Sequence, residues 1–278
     1  MNARIYVTLL AGLCVAMSLA WAVQRKTGSS GWIDAIWSLA VGVFGIAAAL
    51  WPAAEGPSSD GFGSRALLVA GIAGFWSLRL GGHIALRAAR GGDDPRYAAL
   101  AKEWGADFPR RLFLFLQAQA LAGFVLVASL RLAATNPASF PGPADALAVV
   151  VALAGVAGEA AADAQLKAFA SDPGNSRSIC EQGLWRWSRH PNYFFEWLFW
   201  LLAPLLAIDL TGGNPSGWLA LAAPILMYVL LVHVSGVPPL ERHMLASRGE
   251  AFRALQSRVN VFFPGPRRTL SSKAAPNE

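Results

Sequence analysis

Between Arg177 and Glu196 the chain gathers the residue types that hold a phosphate and steer a proton. Arg177, Glu181, Arg186, Arg189, His190, Asn192 and Glu196 fall there, beside the indoles of Trp185 and Trp187. Pro191 disfavours right-handed helical geometry at His190 and suits the first position of a helix, so a helix is expected to start there. Asn192 and Glu196, four residues apart, then share one helical face. A helix start beside Arg186 and Arg189 offers free N–H groups and positive charge, and the anion expected is a phosphate. The same arginines and indoles would also serve as a plain interfacial anchor, a reading that leaves Asn192 and Glu196 without a role.

Two more polar stripes recur at helical spacing. Arg79, His83 and Arg87 form one, and Glu159, Asp163 and Lys167 form another. Asp34 stands where an apolar run begins, and His233 near the end of another. The basic stripe also suits snorkelling arginines, and Asp163 with Lys167 a local ion pair. Neither accounts for the adjacent like charges of Glu159 and Asp163.

The elements that must position these groups follow from composition. Of 278 residues 55% are hydrophobic and only 14% charged, against roughly 25% charged in a soluble domain. Windows of about 19 residues predict seven spans, at 5–23, 33–51, 65–88, 109–132, 144–170, 192–210 and 216–236. Residues 5–23 read as a span rather than a cleavable leader. All lysines and arginines except Arg4, Arg65, Arg79 and Arg131 fall in or beside alternate loops and the C-terminal tail. That pattern predicts the N-terminus outside and the tail in the cytoplasm, as in a bacterial inner membrane. The buried ionisable groups then lie toward the cytoplasm, which implies a polar cavity open to that side of a seven-helix bundle. Residues 237–268 read as an amphipathic cytoplasmic segment and 269–278 as disordered.

With the net charge of +6 explained by topology, nucleic acid is not an expected partner. Cys14 and Cys180 supply neither a disulfide framework nor a metal knuckle, and no His-Glu-x-x-His or Gly-x-Ser-x-Gly occurs. Gly61-Phe62-Gly63-Ser64-Arg65-Ala66 fits a relaxed dinucleotide pattern, but no strand precedes it.

Gly183-Leu184-Trp185, then Arg189-His190-Pro191-Asn192-Tyr193 and Glu196, resemble the C-terminal signature of the steroid 5α-reductase family and, more distantly, of the sterol C14 and C7 reductases. Glu159, Asp163 and Gln165 before it, Glu241-Arg242 after it, and the tail Phe252, Arg258, Phe262-Phe263-Pro264 extend the likeness over about 145–266. Asp34 and Asp94-Pro95-Arg96-Tyr97 carry it faintly into the first half. The resemblance implies NADPH held in a cytosol-facing cavity and hydride delivered to a C=C bond conjugated to a carbonyl in a lipophilic, steroid-like substrate.

By that resemblance Glu159, Asp163, Arg177, Arg189, His190, Asn192, Tyr193 and Glu196 are cofactor-binding residues, and Lys167, Trp185, Arg186, Glu241 and Arg242 are expected to join them. Asp34 falls where those enzymes carry a glutamate beside the substrate carbonyl. Their partner tyrosine in the third span has no counterpart, since Trp76, Arg79 and His83 occupy that region. Asp34 is thus the expected proton donor, a carboxyl kept protonated in a low-dielectric pocket, with His83 and Tyr97 next. Isoprenylcysteine carboxyl methyltransferases, which use S-adenosylmethionine, also carry an Arg-His-Pro-x-Tyr run and a later glutamate, so methyl transfer is the alternative. A non-catalytic membrane protein is the third reading.

Overall fold

The computed structural model describes residues 3–52, 63–91, 94–176 and 178–268, and among these it is helical without a strand. The helices are α1 (Ala3–Thr27), α2 (Trp32–Leu50), α3 (Ser64–Ala89), α4 (Pro95–Trp104), α5 (Phe108–Ala134), α6 (Pro143–Ser171), α7 (Pro191–Trp200), α8 (Leu202–Ala207), α9 (Ala222–Val229), α10 (Val237–Arg248) and α11 (Glu250–Arg258). Among the described residues six segments are long and apolar enough to cross a bilayer: α1, α2, α3, Pro95–Ala134, α6 and Pro215–Arg248. Large apolar side chains such as Val7, Leu78, Leu114 and Val150 are exposed on them, as a lipid-facing surface requires. The expected span over 192–210 is instead two short helices, α7 and α8, with a turn at Leu201. Pro204 explains the break, because it has no N–H to give the Trp200 carbonyl and its ring crowds that position. Residues 269–278 lie outside the described residues, as does most of the Gly61-Phe62-Gly63 run.

The chain divides into two compact units, Met1–Ala152 with Trp200–Leu226, and Leu153–Phe199 with Met227–Glu278. In the first, α1 packs on α2 and α5, and α2 packs on α3 and α5. The buried side of α1 runs Ile5, Leu9, Leu13, Met17, Ala20 and Gln24, a stripe at helical period. Small residues bring α2 against α3: a Cβ on Gly42 would stand 2.0 Å from Ser77 Oγ, and that hydroxyl donates to the Ser38 carbonyl at 3.0 Å. Close packing through Gly, Ala and Ser is how membrane helices associate without a hydrophobic drive.

In the second unit the later part of α6 lies against α7. A Cβ on Gly158 would collide with the Phe195 ring at 2.2 Å, and one on Gly155 would meet Phe199 Cα at 2.9 Å. The expected amphipathic tail folds onto this unit, where Phe252, Leu255 and Val259 are buried with Ile179, Met244 and Leu245 against them. Glu181 clamps the tail by accepting from Arg258 Nη2 at 2.7 Å and pairing with Arg267 Nη2 at 2.9 Å.

Candidate functional site

In the second unit α7 begins at Pro191, and the His190 carbonyl accepts its first helical bond from Phe194 N at 3.1 Å. Asn192 Nδ2 reaches Asp163 Oδ1 at 3.4 Å, so the α6 stripe and the motif at the start of α7 meet. Gly155 stands at Phe199 and Asp163 at Asn192, so the two helices run in opposite directions. Glu159 and Glu196, each one turn farther along, are therefore carboxylates at one level of the pair, and both are buried. This part of the site holds an amide and several acceptors.

Gln165 accepts from the Leu184 N–H at 2.8 Å through Oε1 and so ties α6 to the turn at Gly183–Arg186. Trp185, expected to touch the cofactor, is buried and donates its indole N–H to the Ala162 carbonyl at 2.9 Å, which makes it a brace for that turn. Tyr193 stacks on His190, with ring centroids 5.5 Å apart and planes 10° from parallel.

Arg189, His190 and Glu241, expected as parallel cofactor contacts, bind one another. Arg189 Nε donates to Glu241 Oε1 at 2.7 Å and Nη2 to Oε2 at 3.3 Å, while Nη1 donates to the carbonyls of Gln256 and Val259. His190 Nε2 lies 3.1 Å from Glu241 Oε1, and Gln256 Nε2 donates to Oε2 at 2.7 Å. The Arg189 fork is thereby committed to α10 and to the end of α11. Arg186, Arg242 and Lys167 are exposed, and Arg186 lies over the Trp187 ring at 5.9 Å. Arg177 lies outside the described residues. Burial and the neighbouring Glu181 charge push the Cys180 thiol up, so it is a poor nucleophile.

A second polar cluster lies in the first unit. Asp94 caps α4 by accepting from the Arg96 N–H at 2.9 Å, with Pro95 at the first helical position. That cap turns Arg96 and Tyr97 toward α2. Tyr97 donates its hydroxyl to Asp34 Oδ1 at 2.9 Å, and Arg96 Nη2 pairs with Asp34 Oδ2. Gln119 on α5 donates from Nε2 to the Tyr97 oxygen at 3.2 Å, and its backbone carbonyl accepts from the Trp37 indole at 3.0 Å. Tyr97 is 3% exposed. Two of the three expected catalytic residues, Asp34 and Tyr97, therefore meet. Asp34 accepts from two donors, and Tyr97 supplies the hydrogen of one of those bonds. His83 lies on the exposed side of α3, and Trp76 is buried edge-on against Trp200 at 5.1 Å.

Asp94 and Arg96 enter the sequence reading only through the faint resemblance of Asp94-Pro95-Arg96-Tyr97, and Gln119 not at all. Gln117 and Gln119 stand out as amides in an apolar run, and Asp94-Pro95 is an N-cap followed by a helix-starting proline. Burial pushes the Asp94 carboxyl up, but the side-chain bond and charge of Arg96, its N–H and Arg87 at 3.6 Å outweigh it, so the group titrates below 3.8. A depressed carboxyl stabilises the fold above its unfolded value and loses that contribution as pH falls through the folded one. Amide hydrogen exchange in α4 is therefore expected to be flat above the ordinary carboxylate range after correction for intrinsic rates, and to quicken once the pH falls below it. Exchange in α4 that never quickens on acidification would contradict the Asp94 cap.

The fold and these clusters define a helical membrane protein with a polar constellation in each unit. A family model described as a protein of unknown function, DUF1295, matches residues 20–259, and the chain belongs to that family. No curated protein and no solved structure matches the chain significantly.

Proposed function

We propose that this protein is a membrane-embedded NADPH-dependent reductase that saturates a C=C bond conjugated to a carbonyl in a lipophilic substrate. The observation that carries the reading is the Tyr97 hydroxyl on Asp34. The resemblance to steroid 5α-reductases calls for an acid and a tyrosine beside the substrate carbonyl, and α4 supplies the tyrosine that α3 lacks. The relation of DUF1295 to steroid 5α-reductase-like proteins supports the same class.

In this reading the cofactor, when bound, supplies a hydride to the β-carbon of the enone. Negative charge then moves to the carbonyl oxygen, and the Tyr97 O–H is the group that bonds and protonates it. The enol so formed takes a solvent proton at the α-carbon and returns the one on oxygen to Tyr97, which completes the saturation. Asp34, held by Arg96, fixes the phenol rotamer and drops to a single donor when Tyr97 turns to substrate. In the second unit Glu159, Asp163 and Glu196 are acceptors suited to ribose hydroxyls and a carboxamide N–H, and Asn192 offers both kinds of group. Phosphates fall to the exposed Lys167, Arg186 and Arg242, with Arg177 a further candidate. Arg189, His190 and Glu241 act as positioning residues that hold the turn and the tail.

The test is thermal stabilisation of detergent-purified protein by NADPH, NADH and S-adenosylmethionine in parallel, because a ligand that binds only the folded state raises the midpoint. NADPH is expected to raise it, and Asn192→Ala to reduce the NADPH shift while leaving the unliganded midpoint within a few degrees. An unaltered shift would remove Asn192 from the cofactor site. A shift with S-adenosylmethionine alone would overturn the reductase in favour of methyl transfer, and no shift with any would favour a non-catalytic protein.

A further inference from the structure

An open cleft of about 420 Å³ lies in the first unit where the end of α1 meets the start of α5, lined by Trp21, Arg110, Phe113 and Leu114. Its walls are apolar but for one guanidinium. Trp21 is held there by its indole N–H, which donates to the Pro109 carbonyl at 2.8 Å, and by Phe113, edge-on at 5.6 Å and 78°. Leu114 is 59% exposed.

Arg110 makes no hydrogen bond or ion pair among the described residues, in contrast to Arg65, Arg96, Arg131 and Arg189, each of which is bonded to carbonyls or carboxylates. Arg25 and Lys26 in the last turn of α1 and Arg111 beside Arg110 are also uncommitted. Glu103 and Asp107 are exposed on the chain just before α5 and do not line the cleft. Both helices are span-length and end here, so the cleft sits at the depth where headgroups meet acyl chains.

We infer that this cleft binds the headgroup phosphate and upper acyl chain of an anionic phospholipid, with Arg110 on the phosphate and Trp21, Phe113 and Leu114 against the chain. A free phosphate ion would lose hydration against those walls and gain one partner, whereas an amphiphile satisfies both surfaces. A neutral lipid satisfies the walls but leaves the Arg110 guanidinium facing no net charge. The inference is independent of the reductase reading, which needs no lipid at this place.

Native mass spectrometry of the full chain in detergent tests it, with phosphatidylglycerol and phosphatidylcholine of identical acyl chains as probes. Phosphatidylglycerol is expected to bind the more tightly, and Arg110→Gln to weaken it about fivefold, the size of one basic residue's contribution at an anionic surface. Arg110→Lys should keep most of the affinity, and Arg111→Gln, outside the lining, should lose less than Arg110→Gln. Equal binding of the two lipids, or equal losses from the two glutamine variants, would overturn the site in favour of diffuse attraction. Displacement of the lipid by millimolar inorganic phosphate would overturn the lipid assignment. Arg110 is exposed and unbonded, so its variants should melt with the wild type.

Discussion

Arg65→Met is expected to destabilise the protein by about 3–5 kcal/mol, the loss seen when one member of a buried, hydrogen-bonded ion pair is removed. Arg65 and Asp145 are 7% and 4% exposed. Arg65 Nε and Nη2 reach the two Asp145 oxygens at 2.9 and 3.0 Å, and the remaining N–H groups serve the carbonyls of Asn136, Ala138 and Ser139 at 2.7, 2.7 and 3.0 Å. Asn136 in turn donates from Nδ2 to the Leu206 carbonyl at 2.7 Å. The variant leaves the buried Asp145 carboxylate with only the Gly142 N–H at 2.7 Å and takes the donor from three carbonyls, of which that of Asn136 is buried, and the carboxylate is the costliest. Arg65→Met combined with Asp145→Leu should recover part of the loss, because no unpaired charge remains, but the carbonyls stay unserved. Reversible unfolding in detergent reads both. A single variant as stable as the wild type would mean that water reaches the carboxylate.

The same arginine shows what the sequence carried and what it did not. Arg4, Arg65, Arg79 and Arg131 are the cations that stand off the loop pattern. Two of them proved to be ties, since Arg131 Nη1 donates to the carbonyls of Ala48 and Trp51 at 3.1 and 2.6 Å. An exception to a charge rule was thus a legible signal for a buried bond, although its partner, 80 residues away, was not. Long apolar helices were legible because hydropathy is a local sum. The turn at Leu201 was not, because a window of about 19 residues averages over Pro204.

At the candidate site the helical spacing of Glu159 with Asp163 and of Asn192 with Glu196 was readable from period alone. Their meeting through Asp163 and Asn192 depends on glycines at 155 and 158 that let α6 and α7 approach, a tertiary fact. Arg189, His190 and Glu241 look in sequence like three ligands for one cofactor. In the fold Glu241 is the ligand of the other two, which a linear motif cannot express because donor and acceptor are both polar and both near the signature. Tyr97 was visible as a loop residue, but its bond to Asp34 was not, because it depends on the Asp94 cap that starts α4.

Tyr97→Phe is expected to lower turnover by roughly 10²–10⁴-fold, the usual contribution of a positioned proton donor, while leaving the NADPH-induced thermal shift intact. The side chain keeps its ring, so its edge-on contact with Phe115 at 6.3 Å survives, and only the hydroxyl between Asp34 and Gln119 is lost. Asp34→Asn tests the other half of the pair. Its amide oxygen still accepts from Tyr97 but no longer balances Arg96, so the variant should turn over more slowly than the wild type and faster than Tyr97→Phe. That order separates a proton donor from the acceptor that positions it, because an Asp34 acid would make Asp34→Asn the worse of the two. Full activity in Tyr97→Phe would move the proton source elsewhere, with His83 the next residue to replace. A lost NADPH shift in the same variant would instead show that the hydroxyl serves cofactor binding rather than proton transfer.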